Sequence, residues 1–304
     1  MVSIGTPSQY SPAKLIGPNS PESLGKGEYF AVLKDGKTTL GSLWVKKYNN
    51  DYILRDVFVR PDVRRQGVAT KLVRGVLEHL APKESPIFAY VKSDNKPARD
   101  AYIKLGFRLV KKGAFQGDKY AYTSSIPDGV LVCGPPGTGK TSNLLKLLRD
   151  VGAKVDKVVD PDKLAGTHEE QSKKAVELLN DTIEMGEPVV YVAACHGLRT
   201  IRSILGRMKE LKYKTKVVIV YTSVPTAIQR ISARTAQPLD PAITKEVHEF
   251  FATKAEAYLT MPGVDELYLY NNEHNLTLLL TKKEKTITCM DPHGAFFFDV
   301  SKYC

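Results

Sequence analysis

The sequence predicts two α/β units in tandem, a mixed α+β unit followed by a mostly parallel sheet between helices. Three observations carry this reading. The 304 residues suffice for two cores of ordinary size. Between residues 28 and 123, short strand-like runs are punctuated by Asp-Gly and Asn-Asn, the turn signals of antiparallel pairing. Beyond residue 128 the pattern changes to strands alternating with helix-length segments, which places parallel strands under covering helices.

Composition narrows the class. Hydrophobic and charged fractions of 42% and 25% are those of a folded chain. No apolar run approaches the roughly 20 residues of a spanning helix, and the N-terminus lacks a signal-peptide core. A soluble, intracellular, cytoplasmic protein without a membrane partner is expected, its oligomeric state illegible. Cys133, Cys195, Cys289 and Cys304 have no metal-ligand spacing, so reduced thiols, buried for the first three, are expected. The net charge of +11 is concentrated early: residues 1–126 hold 21 Lys and Arg against 11 Asp and Glu, the rest 23 against 22. That basic first half suits nucleic acid or a phosphorylated cofactor. A solvated surface without a polyanion is the other reading.

Residues 1–27, rich in Pro, Ser and Gly, read as an irregular arm. The first domain spans 28–126. Tyr29–Leu33, Thr39–Val45 and Asp51–Val59 form a meander, and a helix from about Gln66 to Leu80 gathers Val68, Leu72, Val73, Val76, Leu77 and Leu80 on one face. A strand Ile87–Val91, a short helix around Pro97–Leu105 and strands Arg108–Val110 and Lys119–Tyr122 follow. Two stretches in this order, Val57-Phe-Val-Arg-Pro-Asp-Val-Arg-Arg-Gln-Gly-Val-Ala69 and Asn95-Lys-Pro-Ala-Arg-Asp-Ala-Tyr-Ile-Lys-Leu-Gly-Phe107, resemble the GCN5-related N-acetyltransferases (GNAT) over about residues 28–123.

That resemblance implies acetyl-CoA as cofactor. The turn Arg64, Arg65, Gln66, Gly67, Val68, Ala69 and Thr70 would grip its pyrophosphate at a helix N-terminus. Phe58 and Val59 would run beside the pantetheine arm, Asn95 would lie near the cofactor, and Tyr102 would protonate the departing thiolate. The family's first strand and two acceptor-shaping helices have no counterpart in the arm, so the acceptor pocket is not legible. Asp56 could relay a proton from an amine, but reads better as a surface carboxylate beside Arg55.

The second domain spans 127–304, after a polar turn at Ser124–Asp128. Its first strand, Val130–Cys133, runs into Gly134-Pro135-Pro136-Gly137-Thr138-Gly139-Lys140-Thr141, which fits the P-loop pattern at every fixed position. Gly137 and Gly139 let the backbone turn its amides onto one anion, and a helix beginning near Lys140 adds its positive end. ATP (or GTP) is the expected ligand, with Lys140 reaching the β- and γ-phosphates and Thr141 holding Mg2+. Strands at Lys154–Val159, Val189–Ala194 and Lys216–Tyr221 alternate with helices at about Glu169–Met185 and Leu198–Leu211 and one carrying Arg230 and Arg234. Ligands of such sheets bind beyond the strands' carboxyl ends, so the P-loop, Asp162, His196 and Ser223 share one rim.

The segments Val155–Asp162, Val224–Arg234, Pro238–Pro241 and Leu267–Asn272 resemble zeta-toxin-like and polynucleotide-kinase-like P-loop kinases over about residues 129–272. The resemblance implies Asp162 as base for an acceptor hydroxyl, Arg230 and Arg234 as neutralisers of phosphoryl charge, and a lid at Ala236–Pro238. Where many P-loop proteins carry a magnesium-binding Asp, the strand Val189–Ala194 ends in Cys195-His196, so the second metal contact is open. His196 and Arg199 are candidates for the acceptor pocket. Strand-like Leu276–Thr281, Thr286–Met290 and Phe296–Val300 close the chain.

The two resemblances imply a bifunctional transferase: an acetyl-CoA-dependent N-acetyltransferase joined to a kinase of a small metabolite, nucleotide or nucleotide sugar. Two alternatives stay open. The same pair could act on nucleic acid, at a modified base or polynucleotide end as in DNA hypermodification or repair. Or the P-loop could be an ATP-binding switch beside a non-catalytic docking domain.

Overall fold

The computed structural model describes residues 2–10, 21–49, 51–80, 86–114, 117–122, 126–155, 157–233 and 241–291. The chain forms two units, Met1–Ser125 and Ile126–Cys304. The first is a seven-stranded sheet built from β1 (Val2–Gly5), β2 (Tyr29–Asp35), β3 (Thr38–Tyr48), β4 (Asp51–Val59), β5 (Ile87–Val91), β6 (Phe107–Ala114) and β7 (Gly117–Tyr122), in the order β1-β2-β3-β4-β5-β7-β6. Helix α1 (Val68–Leu80) buries the six aliphatic residues that its periodicity selects, each stabilising the fold by roughly 1.5–3 kcal/mol. Helix α2 (Lys96–Lys104) packs on β6. The arm expected to be irregular in fact supplies β1, paired antiparallel with β2. Its Tyr10 and Leu24 pack with Phe30, Val32 and Trp44, and that apolar shelter is what the Pro/Ser-rich composition concealed.

Among the described residues, β4 and β5 are the parallel pair of this sheet. They pair only through Tyr52–Leu54 against Ile87–Ala89. A bulge opposite Ser42–Trp44 sets Asp56 at φ 45°, and the remainder of β4 keeps its partner only on the β3 side. The strands thus diverge beside Phe58 and Val59.

The second unit contains β8 (Asp128–Cys133), α3 (Leu144–Asp150), β9 (Lys157–Val159), α4 (His168–Glu184), β10 (Val189–Ala193), α5 (Leu198–Glu210), β11 (Lys214–Tyr221), α6 (Val224–Ser232), α7 (Pro241–Leu259), β12 (Glu266–Asn271), β13 (Thr277–Lys283) and β14 (Thr286–Cys289). Its sheet runs β14-β13-β12-β11-β8-β10-β9, with the last five strands of that order parallel and β13 and β14 antiparallel at one edge. Strands β8, β10, β11 and β12 are apolar on both faces because helices cover both. The carboxyl ends of the five parallel strands form the rim expected to bind ligand.

Several expectations are corrected. Cys133 and Cys195 are joined by a disulfide rather than reduced, with Cα atoms 5.3 Å apart. Cys195 follows β10, next to β8, and a left-handed φ of 57° turns it toward Cys133. Cys289 is also disulfide-bonded, and Cys304 lies outside the described residues. Regular helix after the P-loop starts at Leu144, not Lys140, because the Leu144 amide bonds Thr141 O, three residues back, and so interrupts the four-residue ladder that the Asn143 amide begins on Gly139 O. Strand β9 is confined to Lys157–Val159. The nineteen-residue α7 was not anticipated. Arg234, the lid at Ala236–Pro238 and the strand at Phe296–Val300 lie outside the described residues.

Candidate functional site

At the centre of the rim is the loop from Gly134 to Thr141. Gly134, Gly137 and Gly139 have φ values of 148°, 78° and 79°, a backbone path that favours glycine. Space demands it as well: a Cβ on Gly134 would lie 2.1 Å from Val220 O, and one on Gly137 would lie 2.6 Å from Ala227 O. Lys140 Nζ donates to Gly134 O at 2.7 Å and Pro135 O at 2.8 Å. Its ammonium therefore lies over the mouth of the loop. A loop of this curvature with a lysine across it fits the phosphates of a nucleoside triphosphate.

Asp160 follows β9, the edge strand of the parallel set. It is 4% exposed. One carboxylate oxygen accepts the Asp162 amide at 3.1 Å, capping the turn Pro161–Lys163, and the other faces the Thr141 hydroxyl at 3.5 Å. Burial pushes the Asp160 carboxyl above its usual range, against the Asp162 amide and the nearby Lys163 and Lys140 charges. The turn rides on α4, whose Gln171 donates to Leu164 O at 2.7 Å and whose N-terminus is fixed by a Thr167–Glu170 capping box. Asp162 is exposed one step further along the rim. Among the described residues no cluster of three or more His, Cys, Asp and Glu could hold a metal ion. Thr141 with Asp160 nevertheless fits a magnesium ion that takes most of its ligands from phosphate and water. Sequence reasoning missed Asp160 because it reads equally as the turn residue of Asp-Pro-Asp.

The far side of the rim is organised by Glu273, which no sequence signal singled out. It accepts from the Ser223 amide and the Thr222 and Ser223 hydroxyls, each at 2.7 Å, and from the Thr226 hydroxyl. Burial would raise its carboxyl, but these four donors outweigh that and hold it at about 2. Arg230 Nη2 donates to Glu273 O at 3.0 Å, while its Nη1 is buried without a partner among the described residues. An orphaned guanidinium N–H on this rim fits an anionic ligand. His196 and Arg199 are exposed just beyond β10, His196 edge-on to Phe250.

In the first unit, the turn before α1 has Arg65 at φ 63° and Gly67 at φ 76° and is exposed from Arg64 to Gly67. Val68 begins the helix, with Ala69 and Thr70 in its first turn. Arg64 Nε donates to Val59 O at 3.2 Å, tying the turn to the end of β4 where β4 and β5 part. A left-handed pair opening a helix beside a splayed strand fits a pyrophosphate and the extended arm attached to it. Asn95 uses its side-chain oxygen to cap α2 through the Ala98 amide at 3.2 Å. Tyr102 packs edge-on to Phe107 with ring centres 5.0 Å apart, and burial raises its phenol above the usual value, so it stays protonated.

Residues 37–115 match the family model described as FR47-like protein, and residues 130–257 match that described as AAA domain. No curated protein matches the chain. Among solved structures, the complex of AvrRxo1-ORF1 with AvrRxo1-ORF2 and sulphate ions aligns at 13% identity and a TM-score of 0.46, over 58% of this chain and 64% of that one. The chain thus spans less than two thirds of that relative. The Thermoplasma acidophilum PaiA N-acetyltransferase with coenzyme A aligns at 17% identity and a TM-score of 0.29, over 31% of this chain and 59% of that one. The Escherichia coli ribosomal-protein-S18-alanine N-acetyltransferase aligns at 15% and 0.31, over 41% and 97%. The N-terminal part is GNAT-like and the C-terminal part is P-loop kinase-like. No helix among the described residues is long and apolar enough to cross a membrane.

Proposed function

We propose that this chain, GNAT-like in residues 37–115 and P-loop kinase-like in residues 130–257, is a bifunctional transferase. It phosphorylates a hydroxyl of a small metabolite, nucleotide or nucleotide sugar with ATP, and it acetylates an amine with acetyl-CoA. The observation that carries the kinase reading is the juxtaposition on one rim of the P-loop, the Thr141–Asp160 pair and exposed Asp162.

Asp162 takes the proton of the acceptor hydroxyl as its oxygen attacks the γ-phosphorus and the bond to the bridging oxygen of ADP breaks. Lys140 and the loop amides hold the phosphates in line, and Arg230 offers its unpartnered Nη1 to the charge that develops. Thr141 and Asp160 would hold a magnesium ion, which when bound neutralises phosphate charge. In the first unit the Arg64–Thr70 turn binds the cofactor's pyrophosphate. Phe58 and Val59 flank its arm. Tyr102 gives its proton to the thiolate released as the amine nitrogen forms its bond to the acetyl carbon, and the nitrogen's surplus proton passes to solvent, from which the phenol is reprotonated.

A second reading is favoured by the charge distribution. The excess of 21 basic over 11 acidic residues in positions 1–126 suits nucleic acid as the shared acceptor. Labelled ATP and labelled acetyl-CoA, supplied separately to nucleotide, sugar and polynucleotide pools, test both readings. Label in a small-molecule pool supports the first and label in polynucleotide the second. If neither label moves in any pool, the transferase reading fails.

A further inference from the structure

The P-loop of this chain is held from behind, through its carbonyls. Asn143 Nδ2 donates to Gly139 O at 3.0 Å and Asn272 Nδ2 to Thr138 O at 2.8 Å. His248 Nε2 lies 3.1 Å from Pro136 O. A carbonyl can only accept, so the His248 ring carries its proton on Nε2 there. His248 comes from α7 and is fully buried, and Asn272, just past β12, is 8% exposed.

The consequence follows from peptide planarity. In a trans peptide the carbonyl and the following N–H point in opposite directions. Pinning Pro136 O, Thr138 O and Gly139 O therefore aims the amides of Gly137, Gly139 and Lys140 away from the clamps. Those are the donors an anion needs.

We infer that His248 and Asn272 are positioning residues of the phosphate site, which orient its amides by gripping the carbonyls behind them. The inference rests on the donor-site reading above. It assigns α7, a helix with no motif, a direct hold on the loop. Tyr221, edge-on to the His248 ring with centres 5.4 Å apart, keeps the imidazole in place. Asn272 also explains why position 139 is glycine, since a Cβ there would lie 2.6 Å from Asn272 Nδ2.

Fluorescent mant-ATP and mant-AMP binding to the full chain tests this. His248→Leu is expected to weaken mant-ATP about three- to tenfold, the scale of one neutral hydrogen bond. Its mant-AMP affinity should stay within about twofold, because AMP lacks the outer phosphates that the loop cradles. His248→Gln, whose amide nitrogen can take the place of Nε2, should restore most of the mant-ATP affinity, as simple filling of the core would not. If His248→Leu does not fold by thermal melting, Asn272→Ser carries the same expectation at the second clamp. Wild-type mant-ATP affinity in either folded variant, or equal losses for mant-ATP and mant-AMP, overturns the clamp. Failure of the wild type to bind mant-ATP overturns the donor site and the clamp together.

Discussion

The Thr141 hydroxyl and the Asp160 carboxylate face each other across 3.5 Å, joining the end of the P-loop to the end of an edge strand. Two residues later Asp162 stands in solvent. The pair Asp160 and Asp162 thus divides into a buried carboxylate turned toward Thr141 and an exposed one, which the proposed kinase reading assigns to the acceptor. Asp162→Asn is expected to lower phosphoryl transfer by about 10²–10⁴-fold, the usual contribution of a general base, with mant-ATP affinity retained. Asp160→Asn should instead weaken Mn2+ binding in the presence of ATP, read by electron paramagnetic resonance. Equal Mn2+ affinity in the two variants would remove Asp160 from the cation site.

Gly67 has φ 76°, and a Cβ built there meets nothing within 4 Å. Gly67→Ala therefore introduces backbone strain without a clash, at a cost of about 1–2 kcal/mol. Relaxation of that strain moves the amides at the start of α1. Coenzyme A affinity, measured by calorimetry, should fall about fivefold or more while α1 stays folded by circular dichroism. An unchanged affinity would place the cofactor's pyrophosphate elsewhere.

Periodicity and turn chemistry made most of this architecture legible. The six buried residues of α1 are those its helical spacing selects, and β5 ends where the apolar run Ile87–Val91 ends. The P-loop was legible because its glycines answer a local backbone demand. What escaped the sequence was non-local. Asp160 and Glu273 acquire meaning only from partners 19 and about 50 residues away. Helix α7 has a weak amphipathic pattern because His248 and Thr244 are buried on it among Val247, Phe251 and Tyr258. The Cys133–Cys195 disulfide arises from strand order, which no local spacing encodes.

Glu273 links the end of β12 to the start of α6, and its titration gives a pH prediction. Its carboxyl is held at about 2, against an ordinary 4.5. A carboxylate with a depressed folded pKa contributes stability above its unfolded pKa and loses it as pH falls through the folded one. Wild type should therefore lose roughly 1–2 kcal/mol between pH about 4.5 and about 2, after allowance for solvent screening. Glu273→Gln should show a lower melting temperature at pH 7 and lack this part of the acid limb. Parallel acid limbs in chemical denaturation of the two proteins would refute the network.

Lys216 on β11 is 3% exposed, and its ammonium donates to Asp128 at 3.1 Å and to Gly152 O at 3.1 Å. Asp128 opens β8, is 13% exposed, and also accepts the Lys154 amide at 3.0 Å. The partners are unequally buried: the lysine keeps little water and, besides Asp128, feels the Glu266 carboxylate across the strand pair, while the aspartate retains a backbone donor, the nearby Lys214 charge and some solvent. Removing one member of a buried pair leaves the other uncompensated, at about 3–5 kcal/mol. Asp128→Asn should lose about 2–3 kcal/mol, because Lys216 loses its hydrogen-bonded counter-ion and keeps only Gly152 O and the Glu266 charge. Lys216→Met places an apolar chain of similar length in the same space and leaves Asp128 partly hydrated, so about 1 kcal/mol is expected. Urea unfolding at pH 7 distinguishes the two, and a larger loss for Lys216→Met would mean that the aspartate, not the lysine, is the group the fold has desolvated.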